Sequence, residues 1–130
     1  MTTRGIRGAT TVTANDRVQI LTATDELLRL LVRLNGIRSE DVVSAVFSAT
    51  ADIDAEFPAV AAREMGWTEV PLLHSMEIPV PGALGLCIRV LVTWNTDKAQ
   101  SEIRHAFLHG ARVLRPAWAI DLPGDPPRPA

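Results

Sequence analysis

Cysteine, lysine, tyrosine and long apolar runs are all scarce in this 130-residue chain. Cys87 is the single cysteine, so no internal disulfide can form, and its setting in GLCIRVLV suits a small buried residue better than a nucleophile. No apolar run approaches the roughly 18 residues needed to cross a bilayer. MTTRG leads into the first strand without a signal-peptide stretch, which predicts a cytoplasmic protein that does not enter a membrane. A formal net charge of −2 leaves no basic footprint for nucleic acid. No phosphate-binding glycine loop is present either, because GIRGAT lacks both the spacing and the lysine of that motif.

What is present is arginine. Of 13 basic residues only Lys98 is a lysine, and twelve are arginines. Codon bias accounts for such an excess in a chain also rich in Ala, Val, Pro and Gly, but arginine is also the better carboxylate clamp: its planar fork makes two parallel hydrogen bonds and stays ionised when partly buried. With 47% apolar residues, a chain of this length builds one domain with a real core.

Residues 4 to 12 read as a strand in which Gly5, Arg7 and Ala9 share one face. Asn15 and Asp16 are N-cap candidates for a long helix whose stripe runs through Ile20, Leu27, Leu31 and Leu34, stopped by Asn35 and Gly36. VVSAVFSAT, residues 42 to 50, is a buried strand. Asp52, Asp54 and Glu56 precede a short helix from Pro58 to about Met65, closed by Gly66, and acids in that place suit the helix dipole without forming a catalytic cluster. EVPLLHS is a third strand, and IPVPGALG crosses to the strongest one, LCIRVLVTWNT, in which Cys87, Arg89, Leu91 and Thr93 face one way. Asp97 is placed to cap a third helix from about Ala99 to His109, and ARVLR, 111 to 115, is placed as a last short strand. The expected architecture is α/β: about five strands in a mixed sheet, one long helix and two shorter ones. Five of the nine prolines fall in the last fifteen residues, so residues 1–116 are expected to form the domain and 117–130 a mobile tail.

His105 and His109 would lie one turn apart on that third helix, but no cysteine or carboxylate stands at zinc-ligand spacing around them, so no metal is expected. The residues that ask for an explanation are Arg7, Arg89 and Arg115, each in or ending an expected strand with apolar neighbours. A charge held there needs a partner. Acids such as Glu77 or Asp97 could supply it, and so could a ligand carrying carboxylates.

RGIRGATTV at 4 to 12, SAT followed by Asp52, FPAVAARE at 57 to 64, CIRVLVTWNTD at 87 to 97, and IRHAFL with VLRP between 103 and 116 together resemble the monofunctional chorismate mutases of the trimeric α/β type, in the same order and at nearly the same spacing. The resemblance implies conversion of chorismate to prephenate, on the route to phenylalanine and tyrosine, without metal or organic cofactor. It also implies a homotrimer of pseudo-α/β-barrel form with active sites between subunits. The other reading is a trimeric protein of similar architecture that binds an imine or a carboxylate metabolite, and the pairing of Arg89 with Glu77 discriminates the two.

By the same resemblance Arg7 binds a substrate carboxylate, Arg89 faces the ether oxygen, and Glu77 hydrogen-bonds the ring hydroxyl beside Arg89. Phe57, Ala59 and Arg63 would form a cleft wall from the neighbouring subunit, with Leu73 and His74 on the adjoining strand. Phe107, Leu114 and Arg115 would complete the substrate contacts, and the tail would order over the ligand. Three positions depart from the family pattern. Phe107 stands where a tyrosine is common, Val60 where a lysine is common, and His74 where a small or thiol residue is. Lost contacts of that kind predict weaker substrate binding, by about 1 kcal/mol each, and retention of the reaction.

Overall fold

A computed structural model of the chain describes residues 1–128; residues 129 and 130, the end of the expected tail, lie outside the described residues. Five strands form one mixed sheet: β1 (Thr2–Thr11), β2 (Val42–Ala49), β3 (Leu72–Met76), β4 (Cys87–Thr96) and β5 (Ala106–Phe107), in the order β3-β2-β4-β1-β5. β4 runs antiparallel to both β1 and β2, whereas β3 pairs parallel with β2 and β5 parallel with β1. Two α-helices, α1 (Arg17–Asn35) and α2 (Ala59–Glu64), are present among the described residues, and none of their helices is long and apolar enough to cross a membrane.

Helix α1 begins where Asp16 accepts a hydrogen bond from the Gln19 amide at 3.0 Å, a cap of about 1 kcal/mol. It ends where Gly36 takes a left-handed backbone (φ 69°) and donates to Val32 O at 2.8 Å. Its apolar stripe buries Ile20, Leu27, Leu28 and Leu31, the last three packing in one core with Ile6, Ala45, Phe47, Val90 and Val92 of the sheet. The approach is close: a Cβ added at Gly8 would sit 2.9 Å from Leu31 Cδ1.

Strand alternation sends the other side chains to the opposite face, where Arg7 and Ala9 of β1 lie beside Arg89 and Leu91 of β4, Val46 and Ser48 of β2, and Leu73 of β3. Among the described residues no α-helix covers this face, and only its Ala9 and Cys87 end is closed over, by the segments that carry Ala111, Leu114 and Trp118. Leu91 is 43% exposed and Leu73 64% exposed.

The expected third helix from Ala99 to His109 does not form. A single 3-10 turn spans Gln100–Glu102, and residues 106 and 107 pair with Gly8 and Ala9 as β5. The cause is tertiary. Buried Asn35, at the end of α1, donates to Arg104 O at 2.9 Å and accepts from Arg104 N at 2.8 Å, taking up backbone groups that a helix would use internally. Ala106, Phe107 and Leu108 are buried in succession, which suits an extended strand and not one helical face. The expected strand at 111 to 115 is largely a 3-10 turn, His109–Val113, so Arg115 stands between that turn and the next, Pro116–Trp118, and not at a strand end.

After Pro116 the chain makes a further 3-10 turn through Trp118, bridges Ala119 to Phe107, and donates Ile120 N–H to Phe107 O at 3.0 Å. Ile120 and Leu122 pack against the main core.

Candidate active site

Arg89 stands on β4 opposite Ala9 of β1 and Ser48 of β2, with its side chain 27% exposed on the uncovered face. Glu77 follows the end of β3, and its amide donates to Ala49 O at 3.0 Å, which turns the carboxylate back over β2. There it accepts a hydrogen bond from Ser48 Oγ and lies 3.3 Å from Arg89 Nε. That last contact pairs the charges without the alignment of a hydrogen bond. Arg89 Nε is therefore a buried N–H with a counterion and no acceptor. A pair one-quarter exposed adds little to stability, so stability alone does not account for it.

Arg7 sits on the same face, two residues along β1 from the partner of Arg89. Its guanidinium carbon lies 5.7 Å from the Phe107 ring centroid, and its backbone N–H donates to His105 Nδ1 at 2.8 Å. The Phe107 ring is fully buried and lies 5.8 Å from that of Trp118. Arg115 stacks on Trp118 with its guanidinium carbon 3.7 Å from the ring centroid, and Leu114 packs into the small cluster of Ala9, Cys87 and Phe107. The His105 ring is 4.0 Å from Trp118. Burial, followed by the charges of Arg7 and Arg115, holds the His105 pKa below the ordinary histidine range, which keeps Nδ1 free to accept. Cys87 is wholly buried and its thiol is pushed up by burial, against a smaller pull from Arg89, as suits packing and not nucleophilic attack.

The remaining expected site residues gather elsewhere. At the β3 edge, Phe57 is 63% exposed and its ring lies 5.1 Å from that of His74, whose Nε2 accepts the Ala59 amide at 3.1 Å. Burial, and secondarily Arg63, lowers the His74 pKa and keeps the ring neutral for that bond. Arg63 is exposed at the end of α2, and Leu73 points to the uncovered face while His74 points away from it. A cavity of about 480 Å³ is lined here by Phe57, Pro58, His74 and Met76 together with the loop from Ala49 to Glu56. Neither Arg7 nor Arg89 reaches it.

The structure thus joins Arg7, Arg89, Glu77, Phe107, Leu114 and Arg115 on one flank and Phe57, Ala59, Arg63, Leu73 and His74 on another. β3 and β1 are three strand spacings apart, about 14 Å, so one copy of the chain does not bring Leu73 and His74 against the Arg7 end of the first set, although Glu77 links the end of β3 to Arg89. Ser48, His105 and Trp118 are neighbours of the first set that sequence reasoning missed. Ser48 becomes a neighbour only through the β2–β4 register, which the sequence does not show, and Trp118 carried no signal in a proline-rich stretch. Asp52, Asp54 and Glu56 prove structural: Asp52 accepts the Leu86 amide at 2.9 Å, Asp54 binds Asn15 at 2.6 Å and Glu56 binds Arg17 at 2.8 Å.

Comparison with known proteins adds a second, independent line. The family described as chorismate mutase type I matches over residues 3–118. The chain is 48% identical over 114 residues to the chorismate mutase AroH of Thermus thermophilus, covering 87% of this chain and 93% of that one. It is 47% identical over 121 residues to the chorismate mutase AroH of Bacillus subtilis (strain 168), covering 92% and 95%. A solved chorismate mutase from Clostridium thermocellum superposes with a TM-score of 0.83 at 48% identity, covering 84% of this chain and 97% of that chain. With a family match across nearly the whole domain and relatives at this identity, the chain belongs to the chorismate mutase type I family.

Proposed function

We propose that the protein converts chorismate to prephenate, an isomerisation that feeds aromatic amino acid synthesis. The rearrangement is unimolecular: the ether C–O bond breaks while a C–C bond forms, and no atom enters or leaves. It needs no nucleophile, general base or cofactor. The protein's task is to select the compact conformer of the substrate and to place positive charge where negative charge develops.

The observation that carries this reading is the Arg89–Glu77 pair on an uncovered sheet face, with a buried Arg89 N–H that has no acceptor. Arg89 stabilises the ether oxygen as its bond to carbon lengthens. Glu77, steadied by Ser48, binds the ring hydroxyl and holds Arg89 in place. Arg7 and Arg115 bind substrate carboxylate, with Leu114 and the Phe107 ring shaping that flank.

Phe57, Ala59, Arg63, Leu73 and His74 act from the neighbouring subunit of a homotrimer. Two features support that arrangement. Arg7, Phe107 and Arg115 lie at the β1 side of the sheet and Phe57, Arg63 and His74 at the β3 side, too far apart within one chain to close together on one small substrate. The face between them carries exposed Leu91 and Leu73, an apolar surface that a second copy would cover. Residues 1–116 form the catalytic unit in this scheme, and Trp118, just beyond it, borders the ligand beside Arg115.

The direct test is loss of chorismate absorbance on addition of the purified protein, with the product identified as prephenate. Chorismate left intact at high protein concentration, with a folded trimer in the cell, overturns the proposal.

A further inference from the structure

The C-terminal segment is tied down by charge far from Arg89. Arg112, whose side chain is 7% exposed, donates Nη1 to Asp121 at 2.8 Å and Nη2 to Pro126 O at 3.0 Å, while its Nε binds His109 O at 2.8 Å. His109 lies between two carboxylates: Nδ1 is 3.0 Å from Asp125 Oδ1, and Nε2 is 2.7 Å from Glu26 Oε1 on helix α1. Ionised carboxylates only accept hydrogen bonds, so serving both at once requires both ring nitrogens to donate. Only an imidazolium does that. Asp125 is itself 7% exposed and uses its other oxygen to accept the Leu122 amide at 2.7 Å.

The backbone at His109 is left-handed (φ 51°), a conformation that suits glycine and costs any residue with a Cβ. A histidine kept at such a position is held by its side-chain contacts. Nothing in the proposed rearrangement uses it.

We propose that His109, as an imidazolium bridging Glu26 and Asp125, is a positioning residue that pins the C-terminal segment to helix α1 and thereby holds Arg115 and Trp118 beside Arg7. The chain between the latch and the site is short. Arg115 and Trp118 lie between the turn that carries His109 and Arg112 and the segment that carries Asp121 and Asp125, so both ends of this strap are fixed by the same charges. The proposal rests on the reading of Arg115 as a substrate ligand.

The charged groups around the ring are Glu26 from α1, Asp125 from the tail and Arg112 from its own turn, with Asp121 and Arg128 bound to one another beyond Arg112. From β1 and the loop after it the neighbours are Thr11, Val12 and Thr13, which carry no charge. Burial disfavours the charged ring, but hydrogen bonds and charge from Glu26 and Asp125 outweigh it and leave the His109 pKa raised. The sign follows: the latch is complete below the ordinary histidine value of about 6.5 and is lost as pH rises through the raised one. The Asp125 carboxyl is held low, first by the Leu122 amide, and so keeps its charge into the acid range.

The test uses the full chain and three variants: His109→Gln, which removes the charge; His109→Lys, which keeps a charge that does not titrate near neutrality; and Glu26→Gln, at a part-exposed helix position that leaves the tail untouched. Two readouts are taken, exchange of the Ile120 amide and the kinetic constants for chorismate between about pH 6 and about pH 9. The unaltered protein is expected to show a KM that rises with pH while kcat changes little. His109→Gln should exchange Ile120 faster and raise KM about three- to tenfold at the acid end, with the pH dependence gone. His109→Lys should restore a low KM at every pH, and Glu26→Gln should fall between. Ile120 exchange in His109→Gln equal to that of the unaltered protein overturns the latch. A loosened tail with unchanged KM overturns the positioning role and traces the failure to Arg115, while the Arg89 chemistry stands untouched.

Discussion

On the helix-covered face of the sheet, Ile6, Phe47, Val90 and Val92 are fully or almost fully buried, and the neighbours of each are other apolar groups of the same chain. One residue along the same strands, Arg7, Val46, Leu91 and Arg89 remain partly open, with charge and apolar surface side by side. The first face closes its interactions within the chain and so accounts for folding. The second leaves a buried N–H without an acceptor and leucines without a cover, which is where the proposed function places an anionic substrate and further copies of the chain. A single period-two alternation thus separates what stabilises the protein from what it works with.

Substitutions can break that contrast. The largest effect belongs to the closed face: Phe47→Ala should lower the unfolding free energy by about 3–5 kcal/mol in a denaturant titration. A loss under about 1 kcal/mol would mean the face relaxes around the gap. On the open face, Arg89→Ala should reduce kcat by about 10²- to 10³-fold with little change in stability. Arg89→Lys should recover little, because a point charge does not reproduce the guanidinium fork. Turnover unchanged in either variant removes Arg89 from the mechanism.

Leu91→Glu sharpens the contrast further. The circular dichroism of the folded chain should persist while sedimentation shifts to smaller species and activity falls with it. Survival of the proposed trimer after this change would show that its contacts lie elsewhere. The smallest effect is expected for Phe107→Tyr. A hydroxyl on this buried ring should lower KM by at most about fivefold, the worth of one hydrogen bond, with kcat little altered. An unaltered KM confines the ring to packing beside Arg7.

The parts of the molecule legible in the sequence are those governed by local periodicity. Alternation set Arg7 with Gly5 and Ala9, and Arg89 with Cys87 and Leu91, each on a face of its own strand, which the β1–β4 register then joins, and the caps at Asp16 and Gly36 bounded α1 to within a residue or two. Residues 97 to 115 were illegible for a different reason. Their conformation answers to β1 and to Asn35, which are distant in sequence, and a helix-like spacing of His105 and His109 survives with no helix to produce it. The three histidines show the same limit at the level of single atoms. His74 and His105 accept backbone amides and stay neutral, whereas His109 has a carboxylate within hydrogen-bonding distance of each ring nitrogen, and their sequence neighbourhoods announce none of this.

Asn35 was readable as a helix terminator, but its carboxamide also fastens the exit of α1 to the strand that returns beside β1. The consequence reaches beyond local order. Because this amide ties the Arg7 flank to α1, alongside the direct bonds that residues 105 to 110 make to β1, transplanting the arginine constellation onto another scaffold means carrying the end of that helix with it, and a swap to aspartate, which keeps the shape but forfeits the donor, would detune the flank while every charged residue in it stayed intact.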